Sequence, residues 1–263
     1  LAVDGEVLVH LHVGRSPELT SWRELTQDQL RYVFYLLATF ADMVVVKTYM
    51  FVRFTGIRVV KRNRFGWKCV KDGKVFYLQS WQIHSFLSQL SFVDSTENMD
   101  NRLEVVGGFH AVHKLLQEDV NTHRIVTFNE YLCMELRYQR FMQSRNEEDI
   151  DNLAALLYRK PDGSVPDEIS LTPGERLATL AWYGHIKFVM SKAFTHFFRK
   201  VSADADMSDL SILESINVQL RALTDGDVTK EQSVKQIDCW RALTELNAKA
   251  KEAEEFRRKF PKS

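Results

Sequence analysis

Proline and glycine are scarce in this chain: its 263 residues hold five prolines and 11 glycines. With few breakers and many Leu, Ala, Glu, Lys and Arg residues, the sequence leans towards helices. Cysteine is scarcer still. Cys69, Cys133 and Cys239 are odd in number and far apart, so neither a CxxC pair nor a disulfide framework can be read from them. Each sits among apolar neighbours, which points to buried structural thiols in a reducing compartment. Net charge is missing as well. The 35 Lys and Arg residues balance the 35 Asp and Glu residues, so no global field draws the chain to nucleic acid or to a membrane. Val33–Val52 has the length of a membrane span, but Asp42 and Lys47 lie inside it and charges at such depth are costly. Its apolar spacing is helical, so a core helix is expected and no membrane partner. The chain begins with Leu, which points to a start further upstream, and its first residues lack a signal-peptide pattern.

Catalytic motifs are missing too. There is no GxxxxGK[ST], no GxGxxG after a strand, no HExxH, no GxSxG and no EF-hand loop. Gly107-Gly108 alone means little. His110 and His113, with His123 nearby, form an HxxH pair. On a helix this pair would share one face and suit a metal, with Glu104, Glu118 and Asp119 as further ligands by proximity; surface or satisfied histidines are the favoured reading, and His10/His12 are read the same way. Glu147, Glu148, Asp149 and Asp151 would suit acid–base chemistry, but fit a helix N-terminus better. The expectation is no enzyme, no cofactor and no metal.

What is present is periodicity. At 45% hydrophobic and 27% charged residues the chain has material for a sizeable core. Val7, Val9, Leu11 and Val13 alternate as in a strand. Thr26-Gln27-Asp28-Gln29 is a capping box, and one long helix is expected from Gln27 into the low fifties. Trp67, Cys69 and Val70, then Asp72-Gly73, then Val75 to Leu78 predict a β-hairpin near residues 65–78. Ser80 is expected to cap a helix through Trp81, Ile83 and Leu87. Residues 94–102 are polar and read as a loop or linker. Thr127-Phe128-Asn129-Glu130 is a second capping box, an acidic helix follows from Glu147 to Tyr158, and Pro161 to Pro166 ends it. Thr172-Pro173-Gly174-Glu175 opens a helix expected to reach Arg199. Ser208–Leu223 is read as amphipathic through Leu210, Leu213, Ile216 and Leu220. Thr229 to Gln232 resembles another cap, before a final helix through Val234, Ile237, Trp240, Leu243 and Leu246.

The fold class is therefore mainly α, helical bundle-like, with a small α+β N-terminal part. The expected division is 1–95 (helix, hairpin and helix), 103–200 (helical) and 205–263 (a C-terminal helical segment packed on the helical domain).

Two clusters are candidate sites. Residues 53–74 hold eight cations against the single acid Asp72. Arg53, Arg58, Lys61, Arg62, Arg64 and Lys68 are the basic patch, with Phe54, Phe65 and Trp67 interleaved, a pattern that tracks phosphates and stacks on bases; a solvated face or a dock for an acidic partner is the other reading. Trp182, Tyr183, Phe188, Phe194, Phe197 and Trp240 are candidates for a protein-binding groove. Aromatics at this spacing also suit a core, and only an exposed remainder would mark an interface.

Thr127-Phe128-Asn129-Glu130-Tyr131, then Leu153-Ala154-Ala155-Leu156-Leu157-Tyr158-Arg159, resemble a pattern in helical proteins of phage and prophage virion-assembly gene clusters. Ile216-Asn217, Arg221 to Glu231 and Trp240 to Leu246 resemble the C-terminal part of the same tail-assembly, chaperone-like proteins. The resemblance covers about residues 125–255. It implies a non-enzymatic role: binding a hydrophobic or amphipathic segment of another virion protein, in the host cytoplasm or in the particle. It carries no catalytic residue. The alternative is a nucleic-acid-binding accessory protein using residues 53–74.

Overall fold

The computed structural model describes residues 19–97, 99–112, 126–198 and 209–260. The expected strand through Val7 and Val13, the His10/His12 pair, and His113 and His123 lie outside them. The fold is mainly α with two small antiparallel sheets. It divides into two compact units, residues 1–101 and 102–263.

In unit 1, α1 (Gln27–Thr39) starts at the capping box: the Thr26 hydroxyl accepts from the Gln29 amide, and the Gln29 side chain accepts from the Thr26 amide. The expected long helix is two. α1 ends at Phe40, whose backbone is extended, and α2 (Met43–Thr55) begins anew with Asp42 as its cap, its carboxylate accepting from the Val44 amide at 2.8 Å. A side chain that satisfies an orphan amide restarts the helix at a new angle within a continuous apolar run. Leu30, Val33, Phe34 and Leu36 from α1 and Val46 and Met50 from α2 are buried. Trp22 stacks on Phe34 at 5.7 Å and meets Phe92 edge-on at 5.5 Å.

The sheet that follows has three strands, β1 (Arg58–Asn63), β2 (Gly66–Lys71) and β3 (Lys74–Gln79), in the order β1-β2-β3. The hairpin is β2–β3. Its turn residues Asp72 and Gly73 both have positive φ, 50° and 75°, as the tight two-residue turn requires. α3 (Ser80–Gln89) follows, with Gln79 rather than Ser80 at its cap. In the polar stretch read as a loop or linker, Ser95, Met99 and Asn101 are packed into unit 1. The Trp22 indole donates to the Ser95 carbonyl, the Asn101 amide donates to the Trp22 and Leu25 carbonyls, and Met99 is fully buried.

Unit 2 holds the remaining helices: α4 (Phe128–Ser144), α5 (Glu147–Leu157), α6 (Pro173–Ala193), α7 (Asp209–Thr224), α8 (Glu231–Lys235) and α9 (Cys239–Lys259). α5, α7, α8 and α9 all contact α4. Thr127 and Thr172 cap α4 and α6 through reciprocal bonds with Glu130 and Glu175. The cap residues Thr127 and Asp238 also form an isolated β-bridge: Phe128 donates to the Ile237 carbonyl and Cys239 to the Val126 carbonyl. The starts of α4 and α9 are thus tied to each other.

The final helix begins at Cys239, after a 3-10 turn Val228–Lys230 capped by Asp227 and the short α8. α7 buries Ile212 and Leu220, one i,i+8 stripe, and leaves Leu213 44% exposed. α6 stops at Ala193, short of Arg199, where the Asn247 side chain accepts from the amides of His196 and Phe197 and closes a turn.

A small sheet completes the unit: β4 (Val105–Val106), β5 (Phe109–Ala111) and β6 (Tyr158–Arg159), in that order. Gly107 and Gly108, at φ 56° and 84°, make the β4–β5 turn. His110 is therefore an exposed strand residue, and the helical face that an HxxH pair needs is not formed there.

Candidate functional site

Three of the four residues of the acidic cluster are engaged structurally. Glu147, Glu148 and Asp149 form the first turn of α5. Arg176 clamps Asp151 through two 2.8 Å bonds and reaches Glu147 at 2.6 Å, while Arg137 holds Asp149 at 3.1 Å. Carboxylates so engaged stabilise helix packing and are poorly placed to move a proton. Among the described residues, no group of three or more His, Cys, Asp or Glu side chains is placed to hold a metal ion, and no helix is long and apolar enough to cross a membrane.

The aromatic set splits. Trp182, Tyr183 and Phe194 are core: Trp182 packs edge-on against Tyr158, Tyr183 donates to the Glu135 carboxylate at 3.3 Å, and Phe194 meets Trp240 edge-on at 4.8 Å. Burial removes these three from any docking groove. Phe197 and Trp240 are half-buried, and of the six only Phe188 is largely exposed, with the Lys192 ammonium 5.3 Å from its ring. Sequence reasoning did not single out the most exposed aromatic pair of this unit. Phe256 and Phe260 are each 64% exposed, one turn apart on α9 and its cap, with ring centroids 5.0 Å apart.

α9 changes character along its length. Its buried residues, Cys239, Ala242, Leu243 and Leu246, lie in its first half. Beyond them it is held by Lys249 on Asp225 at 2.5 Å and by Glu254 on His196 at 3.0 Å. Among the described residues, 255–260 make no hydrogen bond or ion pair outside their own helix. Two aromatic rings on a charged, otherwise unengaged helix end form an apolar strip that a partner can cover.

The basic patch of unit 1 is brought together only in part. Arg58, Lys61 and Arg62 lie on β1, Lys68 on β2 and Arg64 in the turn between them. Arg53 belongs to α2 and sits over the Tyr32 ring at 4.2 Å, so it belongs to helix packing. Arg62 and Arg64 lie over Trp67 and Phe65, each at 4.7 Å. Cys69 and Leu78 are buried on one sheet face, where α2 brings Phe51 to 6.3 Å from Trp67.

The core around α4 is expected to lose stability in alkali. Burial pushes the Cys239 thiol up to about 12. Burial, reinforced by the Glu135 carboxylate, holds Tyr131 and Tyr183 well above the ordinary phenol range. Each group stays protonated in the folded protein while the unfolded chain ionises near pH ~8.5 for Cys and ~10 for Tyr. The unfolded state then binds fewer protons, so stability present below pH ~8.5 falls as pH rises towards 12. Cys239 alone accounts for about 2–3 kcal/mol by pH ~10.5. Urea denaturation followed through Trp182 and Trp240 should show a midpoint that falls steeply between pH 8 and 10.5 (roughly the window above), with Cys239 inert to alkylating reagents until unfolding. An unchanged midpoint would mean that the three side chains are solvated.

No family model, no curated protein and no solved structure matches this chain, so its functional reading rests on its own residues and their placement.

Proposed function

We propose that this chain is a non-enzymatic assembly protein of phage or prophage virions, binding another structural protein during tail assembly. Its place is then the host cytoplasm, with or without carriage into the particle. Three observations support this reading. The segment that resembles virion-assembly proteins, about residues 125–255, lies within one compact unit, residues 102–263. Within the acidic cluster of that unit, Glu147, Asp149 and Asp151 are engaged by Arg137 and Arg176. The observation that carries it is the exposed Phe256/Phe260 pair at the unengaged end of α9.

The mode of contact differs from the one expected from sequence. A groove built of Trp182, Tyr183 and Phe194 is closed by their own packing. Instead, the end of α9 is the ligand, laying two aromatic anchors at i and i+4 into an apolar groove of its partner. A phenylalanine that becomes buried on binding contributes about 1.5–3 kcal/mol, so the pair forms a centre of the kind that dominates interface energetics.

The test is co-expression of the tagged chain with the products of its neighbouring genes, capture in high salt and mass spectrometry. Virion or tail proteins are expected with the wild type. A Phe256→Ser/Phe260→Ser variant should lose them by roughly 30-fold or more while keeping its circular dichroism spectrum and melting temperature, since both rings are exposed. Capture of the same proteins undiminished by the double variant would remove α9 as the contact, and capture of no virion protein by the wild type would sink the assembly reading.

A further inference from the structure

The register of the unit 1 sheet sorts its residues into two faces. Across the strands, Val59, Cys69 and Phe76 form one row, and Trp67 pairs with Leu78. These are the covered side, with Cys69 at 0% and Leu78 at 3% exposure. The alternating positions form the other side in two cross-strand rows, Arg58–Val70–Val75 and Lys61–Lys68–Tyr77. A bulge at Val60 restores Lys61 to the open side after Arg58. Tyr77 is 68% exposed, Val75 56% and Val60 52%.

Two features of this face and its surroundings call for a ligand. Lys61 stands directly opposite Lys68, and like charges so paired are destabilising. From Ile57 to Val93 seven Lys or Arg residues stand against Asp72 alone, and among the described residues none of the seven is in an ion pair. The second feature is flat exposed rings. Besides Tyr77, Phe65 and Trp81 are 69% and 67% exposed. The Ser80 amide donates to the Phe65 carbonyl and the Trp81 indole donates to Gln79 at 2.6 Å, which places both rings at the Gly66–Gln79 end of the sheet.

We propose that this open face binds single-stranded nucleic acid, independently of the contacts made by unit 2. Phosphates run along Arg58, Lys61 and Lys68, and bases stack on Tyr77 and on the Phe65/Trp81 end. Cations alone would serve any polyanion. One exposed aromatic plane among them, Tyr77, and two more at the end of the sheet, Phe65 and Trp81, select a polyanion that carries flat rings, and only unpaired strands present their bases that way. Six-residue strands span about 20 Å, which suits the short end of the ~4–16 nucleotide sites of single-strand readers.

The test is fluorescence anisotropy of the full chain with a labelled oligothymidylate of roughly 12 nucleotides, with a blunt duplex and poly-glutamate as competitors, over a salt series. Binding should weaken with salt, with a logarithmic slope of about −0.7 for each phosphate that a cation neutralises. Lys61→Gln/Lys68→Gln should make that slope shallower by about 1.4. Tyr77→Ala should weaken binding roughly 5- to 150-fold at an unchanged slope, and Tyr77→Phe, which keeps the ring, should restore it. These side chains face solvent or lie half-buried, so the variants should melt as the wild type does. Three results overturn the proposal: no binding at low salt, equal binding of poly-glutamate, or a Tyr77→Ala variant that binds normally. The second would make the face a dock for an acidic protein.

Discussion

Gly66→Ala should severely destabilise the three-stranded sheet of unit 1. Gly66 opens β2 at φ +147°, a backbone conformation that side chains rarely adopt. A Cβ built there lies 2.0 Å from the Leu78 carbonyl oxygen and 2.9 Å from its carbon. The obstacle is backbone, so no rotamer change relieves it. Leu78 is the register partner of Trp67, and Gly66 pairs with Gln79; moving the carbonyl away breaks the ladder where it meets the core. The turn before Gly66 has little slack, because the Asn63 side chain accepts from the amides of both Phe65 and Gly66.

Strain and broken pairing together cost on the order of 4–5 kcal/mol, the range reserved for specific structural breaks. For a unit of this size that lowers the melting temperature by roughly 15–30 °C, read from the fluorescence of Trp22 and Trp67. Gly73→Ala is the matched comparison. It also has positive φ, 75°, but a Cβ there meets nothing within 4 Å, so only the backbone cost of about 1 kcal/mol applies. Equal losses from the two substitutions would show that conformational strain alone matters and that the close approach to Leu78 is relieved at little cost.

The contrast between these glycines also explains what the sequence made legible. Gly73 follows Asp72 between two β-prone runs, and such a turn is local chemistry that reads directly. Gly66 is required by a carbonyl twelve residues away (Leu78), which local chemistry does not reveal. β1 escaped for a related reason: its residues are nearly all exposed and the bulge at Val60 interrupts the period of two, leaving only a run of charge. Caps were legible where Thr and Glu stand three apart, as at Thr127 and Thr172, because each box closes within one turn. Asp42 was not, because it interrupts an apolar run that continues on both sides. β4, β5 and β6 are two or three residues long, too short to show any period.

At the candidate surfaces, chemistry was legible and placement was not. Cation and aromatic content marked residues 53–74, but only the register separates Arg58, Lys61 and Lys68 on the open face from Arg53, which stays with α2. The aromatics of α6 gave the opposite problem. Large rings at helical spacing signal apolar area without saying what covers it, and it is Tyr158 of β6 against Trp182 and Glu135 and Tyr138 of α4 against Tyr183 that make the two rings core.

Glu130 carries the largest expected effect in unit 2, because one carboxylate does two jobs. Its Oε2 accepts from the Thr127 amide at 2.9 Å, closing the capping box of α4, and its Oε1 accepts from Arg159 Nη2 at 3.0 Å. The pair is shielded, with 16% and 7% of the two side chains exposed. Glu130→Ala removes the acceptor for the amide of the cap residue Thr127, about 1 kcal/mol, and takes a carboxylate away from a buried guanidinium, a loss of about 3–5 kcal/mol when one partner of such a pair is deleted. The urea midpoint should fall accordingly, at constant m-value. Glu130→Gln keeps an acceptor for Thr127 and should fall between. The decisive variant is Glu130→Gln/Arg159→Met, which removes the charge on both sides. If desolvated charge is the dominant cost, it recovers most of the stability lost in Glu130→Gln, because an apolar replacement of a buried pair is close to neutral. If the double variant is as unstable as the sum of its parts, the pair is held by its hydrogen-bond geometry. In that case the link it makes between α4 and β6, rather than the charge it neutralises, is what stabilises the unit.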